Sequence, residues 1–350
     1  MTDSREPVVV GVDTHDQNHV AVLLDRLGRR LGEIEIPAER AGYQKLLSWC
    51  CAQGPLESAG VEGTGSYGAS LARFLSDQGV KVFEVTRPRR QYKGKSDSMD
   101  AEAAARSVLA KESTGLPKHK TGIVESIRIL RLLRSSAVKA RTQTANQMRA
   151  LVVSAPEEVQ KLLRPLKSLD RIQRCARFRP DRDWRPEAVL KQALRALARR
   201  WLQLDAEARE RERELSCLIQ AAAPRLLSQP GIGPESAAKL LVLAGDNGDR
   251  LRSDAALAAL CGASPLEASS GKLKRHRLNR GGDRQGNNAL WTIAMNRLHH
   301  HPETRAYARR RRTEGLSDKE ILRCLKRYLA RRLYPLLMAD LNNANSLLLT

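Results

Sequence analysis

Residues 8–36, VVVGVDTHDQNHVAVLLDRLGRRLGEIEI, decide the fold class. VVVGV (8–12) and HVAVLL (19–24) are short valine-rich apolar runs, and LGEIEI (31–36) alternates apolar with polar residues. Runs of that length bounded by turn-forming residues predict three strands joined by tight turns, the second turn being DRLGR. Further along, residues 39–54 have helical spacing, SAGVEG (58–63) reads as a fourth strand, and ASLARFLSDQG as a helix closing on Gly79. VKVFEV (80–85) is a fifth strand and MDAEAAARSVLAKE (99–112) a strong helix. Three antiparallel strands followed by alternating helices and strands predict an α/β domain with a mixed sheet.

From about residue 118 the pattern turns helical. Leu130, Leu133, Ala137, Ala140, Thr144 and Leu151 follow an approximate heptad. A cleaner one runs through Leu190, Leu194, Leu197, Trp201, Leu204, Ala208, Arg211, Leu215 and Leu218, which only Arg211 interrupts. Such seams predict a coiled-coil hairpin or a dimer seam, with RFRPDRDWRPE (177–187) as a polar tip. An ordinary helix pair folded within one chain fits equally well. The chain of 350 residues is about twice a typical domain. The expected segments are 1–115 (α/β), 116–222 (helical hairpin) and 223–350 (mostly helical and basic).

Composition narrows the function classes. A hydrophobic fraction of 41% excludes a wholly disordered chain. No stretch approaches the ~18 uninterrupted apolar residues of a membrane span. The start, MTDSREPVVV, lacks a basic segment followed by an apolar one, so no secretory signal and no membrane association are expected. None of the six cysteines forms a C-x-x-C pair, and no Cys/His set has zinc-finger spacing. They are expected to be reduced and structural, and His299, His300 and His301 to mark a polar helix end.

Charge is sharply divided. Residues 1–110 hold 14 Lys+Arg against 15 Asp+Glu, whereas residues 111–350 hold 47 against 24. Residues 270–332 alone carry 18 basic and five acidic side chains. Such asymmetry points to a polyanion, and nucleic acid is the leading candidate. Aromatic residues are only 4%, which disfavours binding dominated by base stacking. PGIGPESAAKLL (230–241) reads as helix, Gly-rich turn, helix. Gly231 and Gly233 would let backbone N–H groups approach a phosphate, as in a helix-hairpin-helix module, although a Gly-capped turn between core helices has the same pattern. Arg309, Arg310, Arg311 and Arg312 are expected to contact phosphate or RNA.

Four carboxylates of the first domain form an ordered set. Asp13 ends the first strand, Glu62 ends the fourth, and Asp97 and Asp100 share one face at a helix start. Singly, each has a structural reading: Asp97 as a helix N-cap, Asp13 as a turn residue, Glu62 as a lysine's partner. Converging, they would repel one another unless a divalent cation sat among them. Oxygen ligands favour Mg²⁺ or Mn²⁺, suited to phosphoryl transfer.

The blocks GVDTH, GVEGTGSYG and KSDSMDA, followed by a helical hairpin and PGIGPESAAKLL, resemble the DEDD insertion-sequence transposases of the IS110 family, with the Piv-type DNA invertases as relatives. The resemblance runs over most of residues 8–335. It implies a RuvC-like ribonuclease-H fold whose acidic tetrad would be Asp13, Glu62, Asp97 and Asp100. It also implies a nucleophilic serine before a glycine, which maps to Ser270 of GASPLEASSGKLKRHR (262–277), with Ser269 one residue away. Lys272, Lys274, Arg275 and Arg277 follow, placed to neutralise a scissile phosphate.

Membership would make the chain a DNA recombinase that cuts and rejoins through a serine–DNA ester, with Mg²⁺ at the tetrad. Its partners would be donor and target duplexes and a structured guide, the bridge RNA. Dimers assembling to a tetramer, and the cytoplasm of a prokaryote at its nucleoid, are further expectations. Two other readings remain. A RuvC-like Mg²⁺ nuclease or junction resolvase would use water as nucleophile. A nucleic-acid architectural protein would need no metal and cut nothing.

Overall fold

A computed structural model describes residues 5–85, 96–112, 115–179, 184–268 and 276–346. They group into two compact units. One comprises residues 1–121 and 244–257, the other 122–243 and 258–350.

The first unit is built on strands β1 (Val8–Thr14), β2 (Asn18–Asp25) and β3 (Arg30–Pro37), helix α1 (Arg40–Gln53), β4 (Leu56–Glu62), α2 (Ala69–Asp77), β5 (Lys81–Val85) and α3 (Asp97–Leu109). The strand order is β3-β2-β1-β4-β5, with β1, β2 and β3 antiparallel and β1, β4 and β5 parallel. The expected mixed sheet is therefore present. Both faces are covered, which is why the apolar runs do not alternate. Val8, Val10 and Val12 pack with Tyr43, Leu46, Leu71 and Leu75 of α1 and α2. Val9, Val22 and Leu24 pack on the other face with Ala101, Ala104, Ala105 and Val108 of α3.

Two glycines seat α3. Gly11 of β1 and Gly60 of β4 are register partners. A Cβ on Gly11 would lie 2.0 Å from the carbonyl oxygen of Ala101, and one on Gly60 2.7 Å from that of Ala104. Only bare backbone on both strands admits the helix at this depth. The returning segment 244–257 is tied to this unit by Asp246, whose carboxylate accepts from the backbone N–H groups of His119 (3.0 Å) and Thr121 (2.6 Å). Arg250 adds an ion pair to Glu84 at 3.1 Å.

The second unit begins with α4 (Gly122–Val153), α5 (Glu157–Leu163), α6 (Ser168–Ala176) and α7 (Pro186–Ala222). Helices α4 and α7 are antiparallel and pair within one chain, since Arg134 meets Glu212 and Arg141 meets Asp205. In α7 the expected Leu194, Ala208 and Leu215 are buried, while Ala198 and Ile219 are buried one residue beyond the expected Leu197 and Leu218, which are half-buried. In α4 the expected Ala137 and Thr144 are buried, but Leu133 is exposed, and the half-buried Arg134 and Arg141 join the seam beside the expected Leu133 and Ala140. Ion pairing across the helices lets these arginines sit in the seam, and Arg141 also lies 5.6 Å from the Trp201 ring centroid. Helices α5 and α6 were not foreseen between the heptad segments. Val159, Leu163, Ile172 and Cys175 cap the hairpin in one cluster with Met148, Val152 and Leu194.

The remaining elements are α8 (Pro224–Leu227), α9 (Pro234–Ala244), α10 (Asp254–Leu260), the short strands β6 (Leu266–Glu267) and β7 (His276–Arg277), α11 (Arg284–His300), α12 (Pro302–Thr313) and α13 (Asp318–Ser346). Helices α9, α11 and α13 supply most of the buried side chains of this part, including Leu240, Leu290, Ile293, Leu333 and Leu337. The three consecutive histidines stand at a helix junction, where His301 caps α12 by accepting from the Thr304 N–H. No helix among the described residues is long and apolar enough to cross a membrane.

Candidate active site and nucleic-acid interface

Strand alternation and the seating of α3 put the four carboxylates at one end of the sheet on the side of α3, where Glu62, Asp97 and Asp100 all act on Asp13 electrostatically. Among the described residues, Asp97 comes with His15 within metal-sharing distance of Asp13. Asp13 and Glu62 lie two residues beyond Gly11 and Gly60, so by the period of two they face the same side of the sheet as those glycines. Asp97 and Asp100 occupy the first turn of α3, one turn before the alanines resting on that glycine pair. The helix is capped by Ser96, whose hydroxyl accepts from the Met99 N–H at 3.2 Å. Asp97 is therefore not spent as a cap, and Asp13 lies in a strand rather than a turn.

Asp13 is buried, with 7% of its surface exposed. Its pKa is raised, first by burial and then by the charges of Glu62, Asp100 and Asp97, against an opposing pull from His15. The sequence reading missed His15. Its Nε2 stands 3.3 Å from Asp13 Oδ2 and 3.4 Å from Asp97 Oδ2. Asp13, His15 and Asp97 can direct one ligand atom each to a common point. The signal lay in GVDTH, where a histidine two residues past a strand-end aspartate falls on the same side. The turn is held by the His15 N–H donating to His19 Nδ1 at 3.3 Å, with His19 buried and stacked on Tyr43. The Thr14 hydroxyl donates to the Glu62 carbonyl at 2.9 Å, tying the two strand ends together.

A buried carboxylate opposed by burial and by three like charges is a poor site for a proton-free anion alone and a good one for a divalent cation. The oxygen donors suit a hard ion such as Mg²⁺, and the imidazole of His15, were it a ligand, would favour Mn²⁺ over Mg²⁺. The residues present therefore fit a metal.

The other site residues belong to the second unit. Ser269, Ser270, Lys272, Lys274 and Arg275 lie outside the described residues. They fall in the connection between β6 and β7, which pair antiparallel through Leu266↔Arg277 and Glu267↔His276. Gly231 has φ +79°, and a Cβ there would meet Arg297 Cγ at 3.1 Å and the Ile293 carbonyl at 3.3 Å. Its missing side chain thus admits α11, whereas Gly233 faces open space. Pro230, Gly231, Ile232 and Gly233 line a pocket of about 370 Å³ with Arg297 and His300. Arg297 is buried, its Nε donating to the Pro230 carbonyl at 2.8 Å, and its Nη2 has no hydrogen-bond partner among the described residues. Burial and the neighbouring Arg332 lower its pKa.

Of the four arginines of α12, Arg310 and Arg311 share Glu314, and Arg312 pairs with Asp318 at 2.8 Å. Such surface pairs are weak enough to yield to phosphate.

Residues 10–155 match the family model of DEDD transposases of the IS110 type, described as a transposase. Residues 223–309 match the model described as the transposase IS116/IS110/IS902 family. A protein of Streptomyces coelicolor, "Insertion element IS110 uncharacterized 43.6 kDa protein", is 34% identical over 119 residues, a match covering 33% of this chain and 29% of that protein. The aligned region is thus under a third of the relative's length. The two family models fall on the acid-bearing unit and on the Gly-turn region in the order the sequence blocks require, and the chain belongs to the IS110 family of transposases.

Proposed function

We propose that the protein is the transposase of an insertion sequence, a recombinase that cuts and rejoins DNA through a serine–DNA intermediate. The observation that carries the reading is the convergence of Glu62, Asp97 and Asp100 on the buried Asp13, with His15 between two of them.

Asp13, Glu62, Asp97 and Asp100 hold Mg²⁺ or Mn²⁺ in this reading, which supplies charge neutralisation at a phosphoryl centre. The Ser270 hydroxyl attacks the scissile phosphorus. An Oγ–P bond forms, the P–O bond to one strand end breaks, and the departing oxygen takes up a proton while the serine proton passes to a nearby base. Attack by a hydroxyl of another strand reverses the chemistry and rejoins DNA without an external energy source. Lys272, Lys274, Arg275 and Arg277 neutralise the pentacoordinate phosphate.

Within this reading, residues 1–115 form the RuvC-like catalytic part, 116–222 a helical arm whose α4–α7 seam is used within the chain, and 223–350 the serine part, with protomers assembling into dimers and then a tetramer. The turn at Gly231 and Gly233 acts as a helix-hairpin-helix-like phosphate grip. A structured RNA from the element's flank directs the choice of donor and target. The reading takes support from the family, the acidic cluster and the basic second half.

The test incubates the full-length protein with Mg²⁺, labelled DNA bearing the element's end and RNA transcribed from its flank, then separates products under denaturing conditions. A protein–DNA adduct lost with Ser270→Ala, Asp13→Ala or omission of RNA is the expected result. Free cut ends persisting with Ser270→Ala would mean a hydrolytic nuclease using water.

A further inference from the structure

The excursion from Gly262 to Gly282 carries the serine block, and its neck is tightly closed. A Cβ on Gly282 would lie 2.0 Å from the Gly262 nitrogen, so the two limbs cross in backbone contact. Asn287 of α11 donates through Nδ2 to the Cys261 carbonyl at 2.8 Å, and the Asp283 N–H donates to the Leu260 carbonyl at 2.7 Å. The Oδ1 of the same Asn287 accepts from Lys326 Nζ at 3.1 Å. A lysine of α13 thus reaches the root of the excursion.

Beside that neck lies a pocket of about 580 Å³. Its walls are the limb Gly262–Pro265, the limb His276–Asn279, and side chains of α12 and α13. Cations dominate it: Arg277, Arg311, Arg323, Lys326, Arg327 and Arg331. Glu320 is the one carboxylate among the described lining residues, and it already serves Ser317 and Arg323.

Lys326 is the decisive residue. Its side chain is buried at 6% exposure, and its one hydrogen-bond partner among the described residues is the neutral Asn287. No carboxylate of the described residues lies within ion-pair distance of it. Burial and the adjacent Arg323 push its pKa down, with a small opposing pull from Cys261. A buried ammonium facing other cations is costly unless an anion completes the site. Tyr328, half exposed on the same wall and packed edge-on against Tyr307, offers an aromatic face beside the cations.

We infer that this pocket is a phosphodiester site for the DNA strand handled by the serine block, with Lys326 as its anchor. The anion it takes is a backbone phosphate, and Tyr328 packs against the adjoining nucleotide. Joining the neck through Asn287, Lys326 registers the strand against the root of the excursion that carries Ser270. The inference rests on the transposase reading and names how its second unit holds substrate.

The test measures binding of the full-length protein to fluorescein-labelled duplex carrying the element's end, in EDTA so that nothing is cut, across a salt series. Lys326→Met is expected to bind about tenfold more weakly, the scale of one charge-assisted hydrogen bond. Its salt slope should fall by about one phosphate contact. Lys326→Arg should retain most of the affinity. The thermal midpoint of DNA-free Lys326→Met should equal or exceed that of wild type, because an uncompensated buried charge has been removed.

Wild-type affinity and slope in Lys326→Met would overturn the pocket. So would a lowered DNA-free midpoint with an unchanged slope, which is the signature of a neck clamp alone. If Lys326→Met does not fold, the double variant Arg323→Gln/Arg327→Gln replaces it, and unchanged affinity there overturns the proposal. Loss confined to binding of the transcribed RNA would overturn the assignment to DNA. A wild-type protein that binds no element DNA would sink the transposase reading itself, whereas binding that Lys326→Met retains sinks only the pocket.

Discussion

On the proposed function, the two units would handle a phosphodiester by opposite means. In the first, near neutrality of charge accompanies a small set of acids whose positions are dictated by backbone: Gly11 and Gly60 let α3 lie directly on the sheet, and that seating carries Asp97 and Asp100 to Asp13 and Glu62. In the second, an excess of cations is spread over α11, α12, α13 and the β6–β7 excursion, and Lys326 and Arg297 are buried with no carboxylate hydrogen-bonded to them among the described residues. The contrast teaches that the chemistry of the first unit depends on sub-ångström packing, while that of the second is distributed over charges and degrades gradually. Cutting and holding should therefore separate experimentally.

The largest expected effect comes from the acids. Asp13→Asn should lower DNA cutting by about 10²–10³-fold or more, with DNA affinity unchanged within error, as measured by gel assay and anisotropy on one preparation. Chelation with EDTA should reproduce this split, and a parallel loss of binding would break the comparison. Next is the helix seat. Gly60→Ala places a methyl group against the Ala104 carbonyl, so α3 must move, costing about 1–3 kcal/mol in a denaturant titration and abolishing cutting. Retention of full cutting would mean that the seat does not position the acids.

Within the second unit, Asp205→Ala should cost about 1–3 kcal/mol, because Arg141 and Arg209 lose their shared carboxylate in the helix pair. Asp205→Leu combined with Arg141→Met should recover much of that stability, since an apolar pair of similar size replaces the ion pair. The smallest effect belongs to the arginine run. Arg309→Ala should weaken DNA binding only a few-fold and reduce the salt slope by about one.

The sheet was legible because its strands announce themselves as short valine-rich runs with glycine and aspartate turns, and DRLGR forms the turn expected of it, with Asp25 accepting from the Leu27 and Arg29 N–H groups. The four acids were legible as an ordered set at element ends, and of them Asp13 and Asp97 join His15 in a group that could hold a metal. The function of Gly11 and Gly60 was not, because it exists only once two distant segments touch. Ala137 and Thr144 of the α4 seam were legible, but Arg134 and Arg141 were not, since charged residues read as solvent-facing until their partners on α7 are known. Helices α5 and α6 are too short for periodicity to reveal. The return of residues 244–257 to the sheet unit rests on Asp246 bonding backbone groups more than a hundred positions away. His15 escaped notice because its meaning depends on Asp97, which reaches it only through the fold.

The most direct test of the serine intermediate is to isolate the protein–DNA adduct, digest the DNA to a residual nucleotide, cleave with trypsin and sequence the modified peptide by mass spectrometry. The account predicts a nucleotide on the peptide Ser253–Lys272, with fragment ions placing it on Ser270. Modification of another side chain, or cut ends bearing free phosphates with no adduct, would contradict it.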